Sequence, residues 1–324
     1  MESRTGAGLP GPQPSPRLSV VVCTRDRDSK LKRCVDALLS VTTARDWELV
    51  IVDNASTDGT REYVASLGQK HSHGVKVTTA FEQKRGLSAA RNKGWRTANG
   101  EIVAFTDDDC YVSTDYVDSV IRVFEDNPNI GFLGGRLLPF DPLDYRIAIQ
   151  ESQQRRDFRP WTFIAAGEVA GANMAFRRTA LERIGGFDER LGAGTPFPCE
   201  DVDAEAAALW AGVPGVYDPR PVVYHHHGRT EREAQELMRT YDAGRGAYYA
   251  KYILRRDSRP EYARVWMRSI KNDWGGALRT CAAALGQGHL PRRGPFRWQS
   301  LRELSSGLRF ALQHGLQKIG ARTS

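Results

Sequence analysis

The sequence has no apolar run long enough to cross a bilayer; even Leu18 to Cys23 has only the length of a strand, against the roughly 20 residues of a spanning helix. Cysteine is scarce and badly placed for cross-linking. Cys23, Cys34, Cys110, Cys199 and Cys281 are odd in number, scattered, and never spaced as CxxC, which argues against a disulfide framework and a structural zinc site and for reduced thiols in a cytoplasmic protein. No G-x-G-x-x-G follows the first apolar run. Cys23-Thr24-Arg25-Asp26-Arg27 stands in its place, so the dinucleotide fingerprint is missing. Internal repeats and extended low-complexity segments are also missing. Residues 1–16, rich in Gly and Pro and without the basic-then-apolar order of a signal peptide, read as a disordered tail.

What is present is a globular composition, with 40% hydrophobic residues over 324 positions, enough for one large α/β domain and an extension. The charge is uneven. From Arg255 onward there are fourteen Lys and Arg against four Asp and Glu, a net +10 in a chain whose total is +7. The basic character therefore lies in the C-terminal quarter and suggests an anionic partner for it: phospholipid head groups, a phosphorylated acceptor or nucleic acid. No aromatic-interleaved motif supports nucleic acid, which is not expected as a partner.

Strand-like and helix-like segments alternate through the first hundred residues. Strands are expected over Leu18 to Cys23, Glu48 to Val52, Val75 to Phe81 and Glu101 to Thr106, and helices over Ser29 to Ser40, Asp58 to Leu67 and Ser88 to Ala98. That order implies a doubly wound, mostly parallel sheet, in which ligands bind at the carboxyl ends of the strands. Thr24-Arg25-Asp26, Asp53-Asn54-Ala55-Ser56 and Asp107-Asp108-Asp109 occupy three of those ends. Three adjacent aspartates raise one another's pKa, a cost that a divalent cation removes; Asp107-x-Asp109 can aim two hard carboxylates at one Mg²⁺ or Mn²⁺. Asp53 can accept hydrogen bonds from a base or ribose, or be a turn residue beside the helix cap Asp58. Arg85 and Arg91 flank a helix start suited to phosphate, though the same pattern occurs in ordinary basic helices.

After the acidic strand, Glu200-Asp201 at a helix start are the paired carboxylates that follow a Gly-rich approach, the placement of a candidate general base. An acidic first turn favoured by the helix dipole is the simpler alternative. His225-His226-His227 ends a short strand. Thr230 to Arg256 is expected to be helical. Beyond it Leu301, Leu304, Leu308, Leu312, Leu316 and Ile319 recur at helical spacing, among Arg302, Arg309, Lys318 and Arg322. This stripe is either a face packed on the rest of the protein or an interfacial helix at an anionic membrane.

The order of Ser19-Val20-Val21-Val22-Cys23-Thr24-Arg25, Val50 to Thr60, Gly86-Leu87-Ser88-Ala89-Ala90-Arg91-Asn92 and Ala104-Phe105-Thr106-Asp107-Asp108-Asp109 resembles the donor half of family 2 glycosyltransferases with the GT-A fold. Gly171 to Arg177, Gly185 to Glu189 and Glu200 to Asp203 resemble that family's acceptor-side segments, so the resemblance runs from Arg17 to Arg229. It implies a GT-A catalytic domain over 17–229 and a helical basic extension over 230–324. It also implies inverting transfer from a UDP- or GDP-sugar to a glycan, lipid-linked or small-molecule hydroxyl, in cell-surface polysaccharide or glycoconjugate synthesis. The implied nucleotide-sugar-binding set is Thr24, Arg25, Asp53, Asn54, Ser56, Arg85, Arg91, Asp107 and Asp108. Asp107 and Asp109 match the metal-binding pair, with His225 or His227 as a further ligand to Mn²⁺ or Mg²⁺. Asp201 matches the catalytic base, with Glu200 orienting the acceptor or supporting the loop. A nucleotidyltransferase would carry a Gly-rich basic loop after the first strand, and a silent sugar-nucleotide binding module should have lost Asp109 or Asp201; neither description fits these residues.

Overall fold

The computed structural model describes residues 16–67, 71–72, 74–286 and 299–314. The expected tail, apart from its last residue, lies outside them. Four parallel strands form the first half of the sheet: β1 (Leu18–Thr24), β2 (Trp47–Asp53), β4 (Val75–Phe81) and β5 (Ile102–Asp107), with the short β3 (His71–Ser72) at the edge. Every residue of β2 is buried, as a strand covered on both faces requires. Side chains alternate across the pleat. Val21, Val50, Val52 and Phe105 pack with Trp95 of α3 (Leu87–Thr97) on one face, while Val20, Val22, Leu49 and Ile51 pack with Leu31, Val35 and Leu38 of α1 (Asp28–Leu39) on the other. Helix α2 (Thr60–Leu67) joins β2 to the edge.

The second half adds β6 (Cys110–Val112), β7 (Phe132–Pro139), β8 (Arg156–Phe158), β9 (Met174–Arg177) and β10 (Gly215–His225), giving the order β3-β4-β2-β1-β5-β9-β7-β10-β6, with β8 on β10. β9 runs antiparallel between β5 and β7, and β7 pairs parallel with β10. A 3₁₀ turn at Gly171–Asn173 leads directly into β9. Helices α4 (Tyr116–Asp126), α5 (Arg178–Ile184) and α6 (Glu200–Trp210) complete this part. The chain reverses its strand order around β1 and β5, with Cys23 level with Asp107, so a crevice opens beyond Thr24 and Asp107.

Three long helices follow: α7 (Glu231–Leu254), α8 (Arg259–Gly286) and α9 (Gln299–His314). Thr230 caps α7 in a reciprocal capping box with Glu233. α7 and α9 approach closely, because a Cβ on Gly246 would sit 2.1 Å from the Glu303 carbonyl oxygen. The buried residues of α9 are Ser300, Glu303, Ser306, Gly307 and Phe310, whereas Leu301, Leu304, Leu308 and Leu312 are 41%, 38%, 62% and 60% exposed. The leucine stripe is thus the outward face of α9, and the packed face is small and polar apart from Phe310, which meets Phe197. Leu316, Lys318, Ile319 and Arg322 lie outside the described residues. No helix among the described residues is long and apolar enough to cross a membrane.

Candidate active site

The crevice is a cavity of about 1050 Å³. Thr24, Arg25, Asn54, Arg91, Asp107, Asp108, Asp109, Glu200, Asp201, His225 and His227 all line it, which brings together residues from the ends of β1, β2, β5 and β10 and the starts of α3 and α6.

The turn between β5 and β6 carries the three aspartates. Arg91, only 3% exposed, gives Nη2 to Asp107 Oδ1 at 3.4 Å, and the Thr24 hydroxyl donates to Asp108 Oδ2 at 2.7 Å. Asp109 Oδ2 accepts from Arg27 Nη1 at 3.0 Å and lies 3.5 Å from Lys30 Nζ, while its Oδ1 lies 3.4 Å from His225 Nε2. His225 reaches this point because β10 pairs with β6, placing it opposite Cys110. Burial pushes Asp107 up despite Arg91, and pushes Asp108 up to about 7 against its Thr24 hydrogen bond. Burial would raise Asp109 as well, but the hydrogen bond from His225 and the charges of Arg27 and Lys30 hold it well below the usual carboxylate range. His225 moves up in return: burial opposes its charge, and the bond to Asp109 outweighs burial.

Donor atoms of Asp107, Asp109, Cys110 and His225 lie within 4.8 Å of one another, a group that could hold a metal ion. The chemistry fits a divalent cation, since two carboxylates and an imidazole converge and cationic side chains now balance the charge. The Cys110 thiol is pushed far up by burial, so it is a poor donor beside them. His227 lines the cavity but stands outside this group; its Nδ1 accepts from the Arg229 backbone N–H at 3.0 Å.

On the other side, Glu200 and Asp201 open α6. Glu200 Oε1 accepts from Arg91 Nη1 at 2.8 Å, so one guanidinium bridges Glu200 and Asp107. Burial raises Glu200, Arg91 opposes the shift, and the charge of Asp201 adds to it. Asp201 is half-buried, and its Oδ2 accepts the Gly171 backbone N–H at 3.1 Å. A Cβ on Gly171 would lie 2.9 Å from Arg91 Nη2 and 3.2 Å from the Asp201 Cβ, which shows how tightly these three pack. Leu237 and Tyr241 of α7, with Ile147 and Ile149, supply an apolar wall.

Other expected residues serve the loops. Asn54 Nδ2 donates to the carbonyls of Glu82 and Lys84, and its Oδ1 accepts from Gly86 N–H at 2.9 Å. Ser56 Oγ accepts from Asp26 N–H at 3.0 Å. Asp53 is not a lining residue: its Oδ1 accepts from Ser56 N–H at 3.0 Å, while its buried Oδ2 has no hydrogen-bond partner, so one acceptor stays open. Arg85 is exposed and off the cavity wall. Sequence reasoning passed over Arg27, Lys30, Cys110, the Gly171 N–H and Tyr241. Arg27 and Lys30 carried a signal, as cations following the first strand at the mouth of the crevice.

The family model described as Glycosyl transferase family 2 matches residues 19–185. The glucosyl-dolichyl phosphate glucuronosyltransferase of Haloferax volcanii is 26% identical over 186 residues, 54% of this chain and 57% of that protein. The validoxylamine A glucosyltransferase of Streptomyces hygroscopicus subsp. limoneus is 37% identical over 109 residues, 33% of this chain and 23% of that protein. The chain therefore spans between about a quarter and somewhat over half the length of these relatives. Among solved structures, the mannosyltransferase PcManGT from Pyrobaculum calidifontis, in complex with GDP-Man and Mn²⁺, superposes with a TM-score of 0.57 at 22% identity, covering 96% of this chain and 90% of that one. S. aureus TarS 1–349 in complex with UDP-GlcNAc gives 0.58 at 12% identity, covering 92% of each. These likenesses show the fold, which is that of GT-A glycosyltransferases.

Proposed function

The chain belongs to glycosyl transferase family 2, and from that premise we propose that it transfers a sugar from a nucleoside-diphosphate sugar to an acceptor hydroxyl with inversion. One observation carries the reading: in a single cavity, Arg91 ties the aspartate turn that faces the donor to the helix start that bears Asp201. Asp107, Asp109 and His225 would hold Mn²⁺ or Mg²⁺, which supplies positive charge for the diphosphate as it leaves. The family resemblance puts Asp53 near the base, although here it sits behind the cavity wall, and Thr24 holds Asp108 at that wall.

Asp201 is the general base. The acceptor oxygen forms a bond to the anomeric carbon, the bond from that carbon to the diphosphate oxygen breaks with its electron pair going to the diphosphate, and the acceptor proton passes to Asp201. The Gly171 N–H orients the Asp201 carboxylate for this role. Glu200 commits Oε1 to Arg91, so we assign it to positioning the guanidinium and leave the proton to Asp201. The apolar wall from α7 receives the acceptor, and a peripheral contact with an anionic membrane would supply a lipid-linked one.

The test is a thermal-shift and turnover panel of nucleotide sugars with Mn²⁺, Mg²⁺ or chelator, beginning with GDP-mannose and UDP-GlcNAc, the ligands held by proteins of this fold. Cation-dependent stabilisation and release of the nucleotide from at least one donor is expected. No response to any donor with either cation overturns the reading, and a product of retained anomeric configuration overturns the single displacement.

A further inference from the structure

Beside the catalytic cavity lies a second hollow of about 320 Å³, between the loop before α6, helix α7 and helix α9. Arg239, Arg302 and Arg309 line it with Ser305 and Ser306, and no carboxylate does. Its walls Pro196, Arg239 and Ala243 also line the catalytic cavity, so the two hollows adjoin. Arg302 is partly neutralised, since its Nε donates to the buried Asp242 at 2.7 Å. Arg239 and Arg309 are exposed and have no carboxylate partner among the described residues; Arg309 rests 5.9 Å from the centre of the Phe197 ring. Unpaired guanidinium groups around a small hollow suit the oxygens of a phosphate, which they can bind in bidentate fashion.

The same helix carries the exposed leucines. Leu301, Leu304, Leu308 and Leu312 form one outward stripe on α9, with Arg302 and Arg309 on its flank, and Met267 of α8 is exposed as well. An apolar stripe with basic residues beside it is the pattern of a helix lying in a membrane interface. A soluble phosphorylated ligand would account for the arginines and leave the stripe without a purpose.

We propose that α9 seats the protein on an anionic membrane, its leucines among the outer acyl chains, with Arg239, Arg302 and Arg309 holding the phosphate of a lipid in the hollow. The adjoining cavity then faces a sugar attached to that phosphate, which names the acceptor class as a lipid-linked saccharide. This last clause rests on the transfer reading; the lipid contact does not.

The full chain is floated with vesicles of phosphatidylcholine alone and of phosphatidylcholine mixed equally with phosphatidylglycerol, at low and high salt. In parallel, inorganic phosphate is titrated at matched ionic strength. Wild type is expected to float only with the mixed vesicles and to be released by salt. Arg239→Gln with Arg309→Gln should weaken binding roughly thirtyfold, because each basic residue at such a surface contributes about a factor of five. Leu304→Asp with Leu308→Asp should abolish it. All four side chains are exposed, and unchanged melting temperatures would show that the variants fold. No flotation, equal flotation on phosphatidylcholine alone, or flotation indifferent to the arginines overturns the proposal. Arginine-dependent capture of inorganic phosphate without flotation also overturns it, in favour of a soluble phosphorylated ligand. The donor-dependent thermal shift is read on wild type and on the leucine variant, whose substituted residues lie off the catalytic cavity, and should be the same in both: its absence in wild type would sink the transfer reading and leave the lipid contact standing.

Discussion

Lys251 offers a direct measure of how firmly the C-terminal helices hold the candidate site. From α7 it reaches Asp188 at 2.8 Å and Asp203 of α6 at 2.7 Å; its side chain is 18% exposed and that of Asp203 only 2%. In Lys251→Met the hydrocarbon stem is kept and the charge is lost, leaving Asp203 ionised in an apolar surround. Breaking a buried pair in this way costs about 3–5 kcal/mol. At about 2 °C per kcal/mol for a chain of this size, the melting temperature should fall by roughly 6–10 °C.

The loss should depend on pH. Burial already raises Asp203, with Lys251 opposing that rise, so removing Lys251 raises it further. A carboxyl whose folded pKa exceeds its unfolded one costs nothing below the unfolded pKa and the full amount above the folded one. The deficit should therefore be small near about pH 4 and complete near about pH 8. Asp188 acts in the same sense. Its burial is outweighed by hydrogen bonds from Arg190 and Lys251, which hold it low, and the stabilisation it gives, present above its unfolded pKa, is partly lost with Lys251. The assay is thermal and urea unfolding of wild type, Lys251→Met, Asp203→Asn and the double variant across that range. The double variant should recover much of the loss, since a neutral amide replaces the buried carboxylate. A deficit under about 1 kcal/mol, or one independent of pH, would refute the argument that this lysine compensates a buried charge.

Asp201→Asn should keep donor affinity while lowering transfer by about 10² to 10⁴, with Glu200→Gln milder; normal turnover in Asp201→Asn, measured beside donor binding, removes it as the base. In Asp109→Asn the rise in melting temperature produced by Mn²⁺ together with a nucleotide sugar should vanish, and calorimetry showing unaltered cation-dependent donor affinity would refute the ligand set. Gly171→Ala should cost about 1–3 kcal/mol and lower turnover, because its Cβ would press on Arg91 and Asp201; a variant with wild-type unfolding and turnover would show that this packing has slack.

Alternating strands and helices, with aspartates after the strands, made the α/β sheet and the mouth of the crevice legible from the sequence. Periodicity reports which residues share a face and chain order reports which strand ends neighbour one another. Neither reports which way a polar atom at a strand end turns. Asn54 and Ser56 occupy the expected loop, yet their polar atoms close that loop, while Arg27 and Lys30, passed over, reach Asp109. The choice between His225 and His227 needed the pairing of β10 with β6, a long-range register that no local pattern encodes.

Composition and periodicity by themselves determined that this chain builds a sheet covered on both faces, that carboxylates crowd one edge of it, and that a basic, leucine-striped helix follows. Tertiary structure alone decided that Arg91 joins Asp107 to Glu200 and that the leucines of α9 face outward. The reason lies in helix packing: a moment shows that a helix has an apolar side, but the close approach of α7 and α9 at Gly246 and Gly307 selects the small, polar side for contact and leaves the leucines to solvent.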